Sequence, residues 1–460
     1  MSTGLLAYAG YVPVHRLAPD SGVRRPRVCA AFDEDATTMA VAAARALRPT
    51  PGLETPSQVL FSTSTPTYLD RTNATAIHAA LDLPSTVPAV DVIGTGRSTA
   101  AAIRLAASAG GLVLSADVRI GKPGSSDERS GADAGAALLF GEGDVVAELL
   151  TTSSRTSEFL DRWREPTSLT GEQWEERFGF ERYAELITEV AADCLAQAGL
   201  AEADHVVIVS PNGAVTKRVG SLLKGTVSTG TSPVGFSGAA DLAIALVDVL
   251  ERAEPQQTVL AVSAADGADA FLFRTTDVLG AGLSGSTIAT QLAGGRPVPY
   301  PTYLSWRGLL EREVPRRPAP ERPAAPPTFR AEGWKYSLRG SRCSSCGFVH
   351  LPPARVCREC GAVDAMESLP VAGLRGTVAT YTVDRLAYSP SPPVVEVVVN
   401  LDGGGRSTFE VADAEAAELA VGAQVEFTFR RLFSAGGVAN YFWKARQVLT
   451  PPESSGEEES

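Results

Sequence analysis

Four cysteines, Cys343, Cys346, Cys357 and Cys360, fall within eighteen residues as two C-x2-C pairs separated by ten residues. Each pair can present two thiolates to one ion, and the loop between them is long enough to fold one pair onto the other. That is the spacing of a tetrahedral zinc site. Both pairs run on into glycine, Gly347 and Gly361, which suits a tight turn that brings backbone N–H groups toward sulfur. With four sulfur ligands no coordination position is left open, so the pattern predicts a structural zinc and not a catalytic one. The remaining cysteines, Cys29 and Cys194, are isolated. Cys194 shares an apolar helical stripe with Tyr183, Leu186, Ile187 and Val190, which predicts a core position. Around the metal motif, segment 330–361 carries six Lys/Arg against Glu332 and Glu359. Arg339, Arg342 and Arg355 are therefore candidates for holding a compact phosphate-bearing ligand, or else a solvated face that balances the thiolate charge.

A chain of 460 residues must position these groups, and at roughly 150 residues per domain it predicts about three units. Hydrophobic residues make up 44% and charged residues 20%, and no apolar run approaches the roughly 20 residues of a membrane span. A soluble globular protein without membrane contact is expected. Lys+Arg of 41 against Asp+Glu of 53 gives a net charge of -12, which argues against broad attraction to nucleic acid or anionic lipid. The opening MSTGLLAYAGYVPVHRL has neither a charged n-region nor a long apolar h-region. Its composition predicts a cytoplasmic protein, whose thiols stay reduced and available to metal.

Residues 1–310 alternate short β-branched runs, such as Gln58–Ser62 and Gly111–Ser115, with Ala-rich helical stretches such as Ala100–Ala109. A second set, Val206–Ser210, Ala239–Leu250, Thr258–Ser263 and Ala270–Arg274, repeats the order of elements and predicts two related α/β halves. Between the sets, Thr151–Phe180 is polar and aromatic and is expected to be an insertion. Residues 311–328 hold six prolines, at 315, 318, 320, 323, 326 and 327, and predict an extended, semi-rigid linker. Residues 329–370 form the expected zinc ribbon. Segments Gly376–Val383, Val394–Asn400, Arg406–Val411 and Gln424–Arg430 predict a small all-β barrel over 371–450. Its seven Lys/Arg and eight Asp/Glu within 372–448 are a poor footprint for nucleic acid. The acidic residues 451–460 are expected to be a disordered tail.

The C-terminal part resembles the DUF35 family, zinc-ribbon/OB-fold proteins that accompany thiolase-like enzymes as acyl-CoA-binding partners. The residues that carry this are the two C-x2-C pairs, Pro352-Pro353, Gly376-x-Val378-x-x-Tyr381-Thr382 and Tyr441-Phe442-Trp443-Lys444. The first 280 residues resemble hydroxymethylglutaryl-CoA synthase and ketoacyl synthase III of the thiolase superfamily. Here the carriers include Ala7-Tyr8-x-Gly10-x-x-Pro13, Phe32-Asp33-Glu34-Asp35, Val234-Gly235-Phe236-x-Gly238-Ala239 and Ala265-Asp266-Gly267-Ala268-Asp269. Together the resemblances imply a thiolase-like α/β fold of two layered halves, followed by a zinc ribbon and an OB-fold barrel. They also imply a homodimer formed through the thiolase-like part, with acyl-CoA or an acyl-carrier protein as ligand.

That family condenses acyl groups with a cysteine at a helix N-terminus, a histidine and a glutamate. The segment matching the nucleophile, Asp91–Ile103, has Gly96 at the cysteine position. The glutamate position falls on Ser64 and the histidine position on Asn212. A covalent acyl-enzyme is therefore not expected. Two readings remain. In one, the chain makes or breaks carbon–carbon bonds of an acyl-CoA without a thiolate, using Ser64, Arg97, Ser98 and Asn212, with Thr65 and Tyr68 as further helpers. In the other, the chain is a non-catalytic subunit that binds acyl-CoA or acyl-carrier protein and supports a second thiolase-like enzyme. Arg339, Arg342 and Arg355 are the residues expected to meet CoA phosphates.

Overall fold

The computed structural model describes residues 3–17, 26–47, 49–279, 286–313, 315–413 and 415–448. The chain divides into two units, Met1–Glu311 and Arg312–Ser460. The expected acidic tail at 451–460 lies outside the described residues. Among those described, no helix is long and apolar enough to cross a membrane.

The first unit is built on a ten-stranded sheet. Its strands in chain order are β1 (Gly4–Tyr11), β2 (Val59–Thr63), β3 (Ala89–Ile93), β4 (Gly111–Asp117), β5 (Ala134–Gly141), β6 (Ala147–Thr156), β7 (His205–Val209), β8 (Ser228–Gly230), β9 (Thr258–Ala264) and β10 (Gly267–Thr275). They lie side by side as β8-β7-β9-β10-β6-β1-β5-β4-β2-β3. From the centre outward, the first five strands run 1-5-4-2-3 and the second five repeat that order as 6-10-9-7-8. Strand sense repeats as well. β5 is antiparallel to β1 and β4, while β2 is parallel to β4 and β3; β10 is antiparallel to β6 and β9, while β7 is parallel to β9 and β8. The halves meet where Leu5 of β1 pairs with Ala147 of β6. The duplicated order expected from the sequence is thus a duplicated topology.

Alternation along the strands divides the core into two faces. Val207 and Val209 of β7 and Phe271 and Phe273 of β10 join helices α2 (Ser98–Ala109) and α4 (Asp241–Leu250) in one cluster. Their neighbours Val206, Ile208 and Leu272 face helix α3 (Glu176–Ala198) on the other side. Helix α4 buries nine of its ten residues, the signature of a helix enclosed on all sides. Helix α3 buries the stripe Tyr183, Leu186, Ile187, Val190 and Cys194 and ends at Gly199 with φ +68, the left-handed cap that glycine adopts at least cost. Helix α1 (Ala36–Arg45) starts with a capping box in which the Asp35 side chain accepts from Thr38 N–H and Thr38 Oγ1 accepts from Asp35 N–H.

Two expectations change. Thr151–Thr156 belongs to β6, paired with β10 over its whole length, so the insertion expected from Thr151 begins only after Thr156. Polar residues occur there because Ser153 and Ser154 hydrogen-bond Asp193 and Asp269. The proline-rich segment is not extended to its end: Ala325–Arg330 is helical, with Pro326 and Pro327 in the first turn, where a missing N–H costs nothing. The following short helix Glu332–Tyr336 docks on the barrel, where Trp443 Nε1 donates to the Tyr336 carbonyl at 2.6 Å.

In the second unit, β11 (Arg339–Cys343) lies between β12 (Val349–His350) and β13 (Met366–Pro370) as the ribbon sheet. The barrel strands β14 (Gly376–Asp384), β15 (Val394–Leu401), β16 (Arg406–Glu410), β17 (Gln424–Ala435) and β18 (Val438–Gln447) are ordered β16-β15-β14-β17-β18. The outer strands meet at a parallel bridge between Val411 and Ala445, where Ala412 N–H donates to the Ala445 carbonyl at 2.8 Å. This contact closes the sheet on itself and leaves Trp443, Val397 and Val425 fully buried inside.

Candidate active site and metal centre

The four ribbon sulfurs lie within 4.8 Å of one another, with Cys343–Cys360 at 3.7 Å and Cys346–Cys357 at 3.5 Å. Four sulfurs about 2.3 Å from one zinc ion at tetrahedral corners stand about 3.8 Å apart, so the donor set fits zinc. Each knuckle turns as the Cys-Gly pattern requires. Gly347 (φ +80) and Gly361 (φ +74) donate back to the Cys343 and Cys357 carbonyls at 2.8 and 3.0 Å.

In the first unit, the candidate residues from the N-terminal half gather at the carboxyl ends of parallel strands, where open α/β sheets place ligand sites. Ser64 follows β2, Gly96 follows β3, and Asp117 ends β4. Asp117 is fully buried. Its Oδ1 accepts from Thr63 Oγ1 at 2.7 Å, Ser64 N–H at 2.7 Å, Thr65 N–H at 3.0 Å and Thr65 Oγ1 at 2.9 Å. Its Oδ2 accepts from Ser64 Oγ at 2.6 Å and Ala239 N–H at 2.6 Å. Six donors use the lone pairs of one carboxylate, and they tie the β2 loop to the turn before α4. Ser64 Oγ also accepts from Arg119 Nη1 at 3.1 Å, and Arg164 donates to the Ser64 carbonyl.

Gly96 lies just before α2. A Cβ placed there would stand 3.4 Å from the Gly238 carbonyl and 3.8 Å from Ala265 and the Phe236 ring, ordinary contact distances. Packing therefore does not demand glycine at this position. Ser98 is buried and its Oγ accepts from Thr95 N–H at 3.3 Å.

Arg97 and Asn212 are held by partners of their own. Arg97 bonds Asp269 at 2.7 Å, the Asp266 carbonyl at 2.7 Å, Ser154 Oγ, Thr156 Oγ1 and the Arg155 carbonyl, fastening the start of α2 to β6 and β10. Asn212 Oδ1 accepts from Ala214 and Val215 N–H, the N-cap geometry, while Nδ2 donates to the Glu176 carbonyl at 3.0 Å. Asn212 also bonds the buried Asp161, whose carboxyl is raised by burial against the pull of Arg162 and of Asn212 itself. Tyr68 is half-buried with the Arg71 guanidinium over its ring.

Cys194 is fully buried, as its stripe predicts, with Sγ donating to the Ala270 carbonyl at 3.5 Å and burial raising the thiol. Cys29 is fully buried and burial pushes its thiol up to about 12. Neither is a thiolate near neutral pH. His78 Nε2 contacts the Pro84 carbonyl at 3.0 Å, and His205 is held between Ser228 and Gln257.

Of the basic ribbon residues, Arg355 makes two bonds of 2.8 Å to Asp364 and Arg339 donates to Ser368 Oγ at 2.8 Å. Arg342 projects from the ribbon strand, exposed. A cleft of about 490 Å³ opens where ribbon meets barrel, lined by Phe348, His350, Pro352, Arg358, Asn400 and Arg406 among others. Sequence reasoning missed Arg406, because it belongs to the barrel and only the fold carries it to the ribbon. It missed Asp117 and Arg119 for a related reason. The one signal available was an Asp-x-Arg directly after the apolar run Gly111–Ala116.

Comparison with known proteins agrees with this architecture. Residues 335–367 match the family described as the ChsH2 rubredoxin-like zinc ribbon domain, and residues 370–430 match the ChsH2 C-terminal OB-fold domain. A DUF35 domain-containing scaffold protein of Methanocaldococcus jannaschii is 32% identical over 119 residues, 25% of this chain and 84% of that protein. The hydroxymethylglutaryl-CoA synthase of Pyrobaculum aerophilum is 26% identical over 346 residues, 67% of this chain and 98% of that one. Among solved structures, a hydroxymethylglutaryl-CoA synthase complexed with CoA superposes with a TM-score of 0.58 at 14% identity, over 68% of this chain and 92% of the other. The 3-oxoacyl-(acyl carrier protein) synthase III of Pseudomonas aeruginosa gives 0.53 at 18% identity, over 60% and 98%. The chain therefore belongs to the DUF35 zinc-ribbon/OB-fold family through its C-terminal part, which follows a part of thiolase-like fold that is similar to hydroxymethylglutaryl-CoA synthases.

Proposed function

We propose that the thiolase-like unit binds an acyl-CoA and acts on its carbon–carbon bonds without a covalent acyl-enzyme. The observation that carries this is the buried group Ser64, Asp117 and Arg119 at the strand ends beside Gly96, where a condensing enzyme of this fold uses its thiolate. Both thiols in the unit are buried and protonated. Ser64 Oγ gives its one proton to Asp117 and accepts from Arg119, so it positions the carboxylate and the guanidinium around the site, and the start of α2 offers its N–H groups and dipole to an enolate or carbonyl oxygen. Arg97 and Asn212 are positioning residues that hold the walls, and Ser98 holds the turn before α2. Reaction of this kind is expected from the isolated protein on acyl-CoA substrates, and Ser64→Ala should lower it by tenfold or more. Equal turnover by wild type and variant would contradict the assignment.

A second reading is favoured by the match to DUF35 scaffold proteins: the chain binds acyl-CoA or acyl-carrier protein in support of a separate thiolase-like enzyme. Turnover seen only with that second protein, and unaffected by Ser64→Ala, would select it.

The ribbon holds a structural zinc through Cys343, Cys346, Cys357 and Cys360. For CoA phosphates, Arg358 and Arg406 in the ribbon–barrel cleft are better placed than Arg355, whose charge is met by Asp364; Arg339 and Arg342 remain candidates on the adjoining strand. The thiolase-like unit forms a homodimer through the edge strand β3, where Val90 and Ile93 are 47% and 42% exposed, an apolar edge that an isolated chain would leave unpaired. Cytoplasmic location fits a site that needs reduced cysteines.

A further inference from the structure

We propose that Arg119 makes the pocket selective for acyl groups that end in a carboxylate. This rests on the reading of the first unit as an acyl-CoA site and deepens it. Arg119 is 9% exposed. Among the described residues, its guanidinium makes one hydrogen bond to a side chain, from Nη1 to Ser64 Oγ, and Nε has no partner. The nearest carboxylates are already engaged. Asp127 lies 3.8 Å from Nη2, beyond hydrogen-bond distance, and bonds Arg162 instead. Asp117 takes six bonds from other donors.

Three guanidiniums therefore share this neighbourhood with two committed carboxylates. Arg119 and Arg162 both lie over the Phe236 ring, at 5.1 and 5.6 Å, and among the described residues Arg164 donates to carbonyls alone, those of Ser64 and Ser168. A buried guanidinium whose ion pair is long and carries no hydrogen bond is costly, and burial lowers Arg119 below its ordinary value against the charges of Asp127 and Asp117. A ligand carboxylate would supply the missing charge and accept from the guanidinium fork.

Gly238 stands between the Arg119 side chain and the position of Gly96. A Cβ on Gly238 would meet Arg119 Cδ at 3.1 Å, and the Gly238 carbonyl is 3.4 Å from a Cβ on Gly96. Where the resemblance expects a glutamate, this chain has a serine bonded to an arginine. The negative charge of that glutamate is thereby absent, the Asp117 carboxylate being taken up by its six donors, and an acyl chain with a negative end is the complement.

The test compares succinyl-CoA with butyryl-CoA, which share a four-carbon acyl chain and differ in the terminal carboxylate. Dissociation constants are measured by calorimetry on the full chain near neutral pH. Wild type is expected to bind succinyl-CoA about tenfold more tightly, the scale of one charge-assisted hydrogen bond. Arg119→Met should abolish the difference, whereas Arg119→Lys should keep part of the preference. Equal binding of the two thioesters by wild type, or a preference that survives in Arg119→Met, overturns the inference while the acyl-CoA reading stands. Failure to bind either thioester overturns both. The wild-type comparison decides even where a substitution impairs folding.

Discussion

Asn212 shows how a residue singled out for chemistry can be held by architecture. Its side chain caps the turn at Gly213 and reaches Glu176 and Asp161, so Asn212→Ala is expected to cost about 1 kcal/mol of stability while acyl-CoA affinity stays within about threefold. A lowered melting temperature with unchanged binding supports this, and intact stability with lost binding contradicts it. Gly96 has room for a side chain, so Gly96→Cys should change stability by less than about 1 kcal/mol, read from denaturant midpoints. A larger loss would mean that the turn needs glycine. Asp241 carries a pH dependence. Burial pushes its carboxyl up to about 7, against hydrogen bonds from Ser237 and the charge of Arg119. The unfolded chain titrates near 3.9, so the folded state holds this proton more tightly. The contribution is fully present below about pH 4 and is lost as pH rises through about 7, amounting to at most about 4 kcal/mol. Asp241→Asn should flatten the fall in stability between about pH 4 and 8, and unchanged slopes would refute the assignment.

Elements differ in how much of them the residues announce. Strands such as β7 and β9 are legible because five and seven consecutive residues are buried, giving the apolar runs 206–209 and 259–262. The ribbon is legible because metal ligation fixes spacing within one short segment. β6 was misread from Thr151 onward because its polar side chains are satisfied by α3 and β10, contacts distant in sequence. Ser64 lies more than fifty residues from Asp117 and Arg119 and meets them only because β2 and β4 are parallel neighbours, and parallel pairing leaves no local signature. At this scale the metal site makes its own prediction: about one zinc per chain by elemental analysis, lost in Cys357→Ser together with the folded ribbon. A metal-free protein with an intact ribbon would contradict it.

For the molecule as a whole, a thiolase-like fold and a zinc ribbon with an OB-fold barrel occupy one chain, and the fold is legible in outline because both halves and the ribbon have their own patterns. The edge strand β3 argues for a dimer. Val90→Lys with Ile93→Lys is expected to shift the sedimentation coefficient to that of a monomer, and an unaltered dimer would place the interface elsewhere. The central claim is an acyl-CoA pocket that works without a thiolate. Native mass spectrometry after incubation with acetyl-CoA tests it most directly. The expected result is a complex that dissociates completely on denaturation and leaves the chain at its unmodified mass. An acetyl adduct that survives denaturation, or no complex at all, would contradict it.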